Sequence, residues 1–367
     1  MIIFISIWAK TICLNEAKEK IEVIKNKEPL YGQLKLDIAE EILIQESETN
    51  EAYIFKAVID MAIDSSGNIY LLDKDRVLKY DQHGKYLKTI GRIGQGPGEY
   101  VSPTGLFVNE ERDLYINDQG RRAILKFSEN GNFKGMTLLK SAVERGNFFV
   151  DDKGYIYGLS REFLESGIYK NLTKIDREGN MIKKIAQFLE TDLEIKSSTG
   201  VGGVVSGMKH RYSPDACFCP LLENLICFGE NLKYELTIFD LEGNIQAQFL
   251  KEEKARSTSK DIRELERKIG KEAIKTMKFP ATKPFFREIH SDEKGRIYVF
   301  RVKSILDSDK TQDVDIFDKH GQYLYQTQFP YSPYLCLNGV FFAIDNDQEG
   351  KVLIKKLKIR NYDAIRY

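Results

Sequence analysis

The sequence is short of the residues that build most catalytic centres and of the runs that cross membranes. It holds 4 His, 5 Cys and 1 Trp in 367 residues. Its 55 basic side chains balance its 55 acidic ones, so no global field draws in nucleic acid, and none is expected as a partner. No hydrophobic run approaches the ~20 residues of a transmembrane helix. The longest apolar start, residues 2–9, fits the core of an export signal, although no basic residue precedes it. Export to a periplasmic or extracellular compartment is therefore expected, with a cytoplasmic location the alternative if that run is an ordinary terminus. Lys10-Thr11-Ile12 before Cys13 lacks the small residue that lipid-anchor processing needs.

Cys13, Cys217, Cys219, Cys227 and Cys336 are too few for a disulfide framework. Cys217 and Cys219 flank Phe218 in a strand-like run and so share a face, where they read as small buried hydrophobes. Cys227 falls on the expected partner strand, so a Cys217–Cys227 or Cys219–Cys227 disulfide is the alternative in an oxidising compartment. Cofactor motifs are missing as well. The glycine runs Gly91–Gly98 and Gly200–Gly207 lack a following Gly-Lys-Ser/Thr and a helical pattern, and no Gly-x-Ser-x-Gly elbow occurs. No cofactor is expected.

What the chain does contain is a repeat. A first turn aligns as Asp64-x-x-Gly67-x-x-Tyr70, Asn109 to Tyr115, Asp151-x-x-Gly154-x-x-Tyr157 and Asp292-x-x-Gly295-x-x-Tyr298, with weaker copies at Leu222–Cys227 and Asp345–Leu353. A second turn aligns as Asp81-x-x-Gly84, Ser128-x-x-Gly131, Asp176-x-x-Gly179, Asp240-x-x-Gly243 and Asp318-x-x-Gly321. Asp bonds its own backbone two residues on, and Gly takes positive φ without a steric penalty. Short alternating runs flank both turns, as hairpin strands do. Each unit thus reads as four antiparallel strands, and six units read as an all-β, six-bladed β-propeller. There are six first turns but five second turns, so the last unit needs an outer strand from elsewhere. The alternating segment Gln33–Ile38 is expected to supply it and close the ring. On this reading residues 1–28 are an apolar start with a polar linker, and residues 29–367 are the propeller.

Two insertions break the spacing. Thr199–Gly207 reads as a flexible loop. Between units four and five, Ile262, Leu265, Ile269, Ala273 and Met277 predict an amphipathic helix over about 257–279, with Thr258-x-x-Asp261 as a capping box and Pro280 as the stop. It is expected to lie on a propeller face, as packing or as a lid.

The run Gly91-Arg92-Ile93-Gly94-Gln95-Gly96-Pro97-Gly98-Glu99-Tyr100, followed by Pro103, Leu114–Asp118 and Arg122–Phe127, resembles the NHL repeat and the six-bladed TolB-like propellers of bacteria. Weaker similarity covers roughly residues 30–360. The resemblance implies a fold and, for many such proteins, secretion or a lipid anchor. It implies no single activity, because the superfamily includes zinc-dependent lyases and calcium-dependent lactonases beside binders of protein, RNA or sugar.

The residues narrow this. His83 and His320 occupy the same place in repeated turns and are read as solvent-facing, leaving His210 and His290, too few for a three-histidine zinc site. Asp73, Asp118, Asp215 and Glu230 stand where a calcium ring would need ligands, but solvated strand ends explain them equally. The longer connections, on the rim opposite the tight turns, carry Arg92, Arg121, Arg161, Arg211, Arg287 and Arg301 with Tyr100 and Tyr212. Arg76 and Arg122 lie there too, Arg122 matching a framework position of NHL-like repeats. Arginines among aromatics suit carboxylates, sugars and protein partners. The reading is a monomeric, non-catalytic binding or scaffold propeller for a protein, peptide or carbohydrate ligand, with no resident metal. A metal-dependent hydrolase or lyase using the central channel is the alternative.

Overall fold

The computed structural model describes residues 22–144, 146, 148–190, 194–196, 204–206, 212–275, 277, 279–333 and 335–366. The apolar start, Arg211, His210 and most of Thr199–Gly207 lie outside the described residues.

Six four-stranded antiparallel units form the propeller. Blade one is Val58–Ile63, Ile69–Asp73, Arg76–Tyr80 and Tyr86–Ile90, from the inner to the outer strand. Blade two is Pro103–Val108, Leu114–Asp118, Ala123–Phe127 and Phe133–Leu138. Blade three is Phe148–Val150, Ile156–Leu164, Gly167–Ile175 and Met181–Glu190. Blade four is Ala216–Leu221, Leu225–Glu230, Glu235–Asp240 and Ile245–Lys251. Blade five is Phe286–Ser291, Ile297–Arg301, Gln312–Phe317 and Tyr323–Phe329. Blade six takes Leu335–Leu337, Val340–Asn346 and Val352–Ile359 from the end of the chain and Ile38–Gln45 from its start.

The repeated turn residues have a common duty. Asp64 accepts from Ser66 N and Asn68 N at 3.0 and 2.9 Å and from the Tyr70 hydroxyl at 3.1 Å. Asp151 takes the Tyr157 hydroxyl at 3.1 Å, and Asp292 the Tyr298 hydroxyl at 2.7 Å. The Asp-x-x-Gly-x-x-Tyr pattern is therefore one hydrogen-bonded module: the carboxylate closes the turn and anchors a tyrosine buried between blades. In blade two Arg112 holds the glycine position at φ 62°, the left-handed region.

The ring closes with an N-terminal strand, but further along the chain than Gln33–Ile38. Ile38–Gln45 pairs antiparallel with Val352–Ile359, with a register shift between Ile42 and Ile44. That bulge breaks the two-residue alternation and hides the strand from a periodicity reading. Gln33 instead bridges Gln326 of blade five, and Leu34 N donates to Gln326 O at 2.8 Å. Upstream, Val23–Asn26, in the stretch read as linker, runs parallel to the outer strand of blade four as a fifth strand. The N-terminal segment thus straps the outer edges of blades four, five and six in succession. Asn26 pins it: its amide donates to Gly321 O at 2.8 Å and its carbonyl accepts Tyr323 N at 2.9 Å.

The weak sixth copy of the first turn is also corrected. Asp347-x-x-Gly350 joins the second and third strands of blade six, so antiparallel order puts it on the opposite rim; the true first turn there is Asn338-Gly339. Its Asp347 accepts Glu349 N and Lys351 N at 2.9 Å like the others, because the turn chemistry is local and carries no information about rim.

The helical insertion forms Ser259–Ile269, broken by Gly270 at φ 89°, then Lys271–Lys275. The capping box is absent. Thr258 Oγ1 donates to Pro280 O at 2.7 Å, and Asp261 turns inward as the one buried residue of the longer helix. Ile269 of the expected apolar stripe is 47 % exposed. Where a flexible loop was expected, residues 204–206 pair antiparallel with residues 194–196. Cys217, Cys219 and Cys227 are free thiols, with Cys219 directly across the ladder from Cys227.

Candidate functional site

Inner strands run from the rim of inter-blade connections toward the rim of tight turns, and their side chains line an axial cavity of about 540 Å³. Five inner strands and the Ser332-Pro333 approach to the sixth contribute. Much of the wall is apolar: Met61, Leu106, Phe107, Phe148, Phe149, Phe218 and Ile289. Into it project Asp60, Thr104, Cys217, Arg287, Glu288, His290 and Ser332.

The polar groups concentrate on blade five. A register shift between Phe286 and Glu288 bulges the inner strand at Arg287, which re-aims two consecutive charged side chains. Arg287 Nη2 lies 3.1 Å from Glu288 Oε1 and donates to Ser332 Oγ. Ser332 Oγ in turn donates to Glu288 Oε2 at 2.9 Å, and His290 Nε2 sits 3.4 Å from the same oxygen. Burial pushes the Glu288 carboxyl up, but His290, Arg287 and Ser332 outweigh it and hold it below the ordinary carboxylate value. Glu288 is thus a saturated anchor that orients the cation and the imidazole. Arg287 Nε is buried without a hydrogen-bond partner, and among the described residues Nη1 makes no hydrogen bond either. Asp60, from blade one, accepts Met61 N and Leu106 N at 2.8 Å. Desolvation dominates there and pushes its carboxyl up to about 6 against those two bonds. Burial likewise pushes the Cys217 thiol up, so it stays protonated at neutral pH.

Of the eight residues expected to bind on the connection rim, Arg211 lies outside the described residues and the other seven do not form one patch. Arg287 alone reaches the channel lining. Arg92 is exposed and pairs with Glu99 at 2.7 Å. Arg121 donates to Gly94 O and Gly96 O at 2.9 and 3.3 Å, which pins the Gly91–Gly98 crossing between blades. Arg161 is bound to Glu144 and Glu190 at 2.8 and 2.6 Å. Arg301 contacts Glu253 and approaches Asp315 at 3.8 Å. Tyr100 and Tyr212 are fully buried, not surface-lining. The Tyr100 hydroxyl donates to Ile90 O at 3.0 Å and accepts Val77 N; that of Tyr212 donates to Asp261 and accepts Ile305 N. Arginine and tyrosine hold long loops as readily as ligands, and their residue types alone do not distinguish the two.

The carboxylates considered as metal ligands are also engaged. Asp73 accepts Lys56 N and Ala57 N at 2.7 and 2.8 Å, and Asp118 accepts Val101 N and Ser102 N at 2.8 Å, so both clamp the connection entering their own blade. Asp215 pairs with Lys170 and Glu230 with Lys233, each at 2.5 Å. Among the described residues no three His, Cys, Asp or Glu side chains are grouped to hold a metal ion. His83 and His320 are exposed turn residues, as their repeat positions predicted.

Glu288, His290, Ser332 and Asp60 were not singled out together by sequence. The usable signal was charge inside an apolar inner strand, at Val58-Ile59-Asp60-Met61 and Phe286-Arg287-Glu288-Ile289.

Architecture and channel define a six-bladed β-propeller with an axial ligand-sized cavity. The chain belongs to the family described as a domain of unknown function, DUF4934, which matches residues 21–288. No curated protein matches it. Among solved structures it is similar to a candidate exported protein from Bacteroides fragilis NCTC 9343, with 13 % identity, TM-score 0.54, and 92 % of this chain and 100 % of that chain covered. It also matches a DUF4221 family member from Bacteroides vulgatus, with 11 % identity, TM-score 0.48, and 88 % and 98 % covered. A gluconolactonase from Xanthomonas campestris matches at 13 % identity, TM-score 0.46, with 88 % and 90 % covered. Identities this low show the fold alone.

Proposed function

We propose that this protein is an exported, non-catalytic binding propeller that receives a ligand, or the tip of one, at the connection-rim end of its axial channel. The observation that carries the reading is the Arg287–Glu288–His290–Ser332 cluster. It gathers a partly unsatisfied guanidinium and an oriented imidazole in an aromatic-walled cavity. Apolar walls with a few convergent polar groups are what small-ligand sites are made of. A planar guanidinium suits a carboxylate or a pair of sugar hydroxyls, which fits a peptide or carbohydrate ligand. The NHL-like crossing at Gly91–Tyr100 and the apolar run at residues 2–9 agree with a TolB-like exported protein, and no described helix is long and apolar enough to cross a membrane.

The test is a thermal-shift screen of the purified protein against glucuronate, galacturonate, glutamate and short peptides. At least one should raise Tm. A hundredfold excess over Kd stabilises by about 2.7 kcal/mol. Arg287→Gln should weaken that ligand roughly tenfold or more, the worth of a charged hydrogen bond. A ligand whose shift survives Arg287→Gln and His290→Ala would place binding elsewhere. Steady hydrolytic turnover, or a stoichiometric metal in elemental analysis, would replace the binding reading with the enzymatic one.

A further inference from the structure

We propose a second site on the rim of tight turns: a cleft between blades two and three that accepts an extended basic peptide segment. It stands apart from the channel reading, although Phe107 and Phe149 wall both cavities. The cleft encloses about 1030 Å³. Its apolar floor includes Phe107, Ile124, Phe149 and Ile156.

The lip is formed by the first turns of the two blades. Glu110 and Glu111 project from one and Asp152 from the other, all three exposed. Among the described residues none of the three makes an ion pair or side-chain hydrogen bond. Three other acids on this rim are paired: Glu223 with Lys319 at 2.6 Å, Glu242 with Lys174 at 2.9 Å, Glu129 with Arg112 at 2.9 Å. Of the two cations lining the cleft, Lys126 pairs with Asp113 at 2.8 Å, while Arg177 donates to the neutral Lys153 O at 2.5 Å and keeps its charge. Four carboxylates, Glu110, Glu111, Asp151 and Asp152, against Lys126 and Arg177 leave the lining net acidic above an apolar floor, which is complementary to a chain of alternating basic and apolar side chains.

The extended form of the occupant has its own support. The N-terminal segment pairs with the outer strands of blades four and six and bridges that of blade five, whereas no strand pairs with the outer edge of Phe133–Leu138 in blade two, which the blade-three turn touches only at Thr137 and Leu138. Gly135, Met136 and Thr137 of that strand line the cleft, and Met136 is 44 % exposed. A peptide leaving the cleft meets a sheet edge of the kind that binds strands by addition.

The probe is a fluorescein-labelled peptide, Lys-Leu-Lys-Thr-Lys-Phe, against its counterpart with Glu for Lys, followed by fluorescence anisotropy at low salt on the full chain. The basic peptide should bind at least tenfold more tightly than the acidic one. The triple variant Glu110→Gln, Glu111→Gln, Asp152→Asn should lose about tenfold, and Met136→Lys should weaken binding without touching the carboxylates. The control pair Glu41→Gln, Glu165→Gln should leave affinity unchanged. Equal affinity for both peptides, binding that survives the triple variant, or no binding would each overturn the proposal. Full displacement by spermine at matched charge would also overturn it, because the occupant would then be any small polycation.

Discussion

Asp60 shows how one side chain can be local in its bonds and global in its effect. It accepts Met61 N on its own strand and Leu106 N across the gap, so the second bond fastens the inner strand of blade one to that of blade two, while its position on the channel wall desolvates it. A carboxyl pushed up to about 6 in the fold, from 3.8, binds protons more readily folded than unfolded. Its contribution to stability is therefore complete at low pH and is lost as pH rises through about 6. Chemical denaturation at intervals from pH 4 to 7.5 should show this loss in the native protein and not in Asp60→Asn. The comparison of slopes is the readout, since the Asn amide cannot accept from both backbone N–H groups and lowers stability at every pH. Equal slopes would mean that channel water screens Asp60. Elsewhere single residues behave as the repeat implied. The Asp292 carboxylate accepts from Tyr298 and also from Tyr362 at 3.0 Å, so a turn signature became a buried anchor for the C-terminal segment.

At the scale of elements, the closing strand decides most. Its identity rests on the Ile42/Ile44 bulge, which puts Ile44 into the core between blades six and one and leaves Ile42 outside. Ile44 is 2 % exposed and Ile42 53 %. Ile44→Ala should cost about 2–4 kcal/mol, and Ile42→Ala under about 0.5 kcal/mol, in urea unfolding. The reverse order would restore the Gln33–Ile38 register. The helix Ser259–Ile269 carries a different lesson. Its spacing predicted a helix correctly, yet what holds it is polar. Asp261 takes Lys283 at 2.6 Å and Ser304 at 2.6 Å as well as Tyr212, and these bonds outweigh burial to keep its carboxyl below the ordinary value. Periodicity finds a helix; it does not tell which face the rest of the chain grips.

For the whole molecule, the ends of the chain must meet before the ring exists. Contacts such as Ile38 with Ile359 span nearly the full sequence, so closing the ring carries the loop-closure entropy of almost the whole chain. Deleting residues 1–28 removes the fifth strand of blade four and the Asn26 staple but leaves the closing strand. That variant should keep the native elution volume in size-exclusion chromatography and show a single, lower-temperature unfolding transition. Deleting residues 1–45 exposes Val352–Ile359 as an open apolar edge and should give aggregation in size-exclusion chromatography.

The sequence by itself determined the module. Asp, Gly and Tyr at fixed spacing dictate tight turns through bonds made within a few residues, and counting those turns gave the blades and the need for a closing strand. It also excluded phosphate loops and nucleophile elbows, whose signatures are equally local. Only the tertiary structure decided which N-terminal strand closes the ring, which rim the Asp347 turn occupies, and which charged residues face a cavity. Those depend on register shifts and on partners hundreds of residues away. Arg161 and Arg287 look alike in sequence; one is neutralised by Glu144 and Glu190, and the other is turned into the channel by a bulge at the start of its strand.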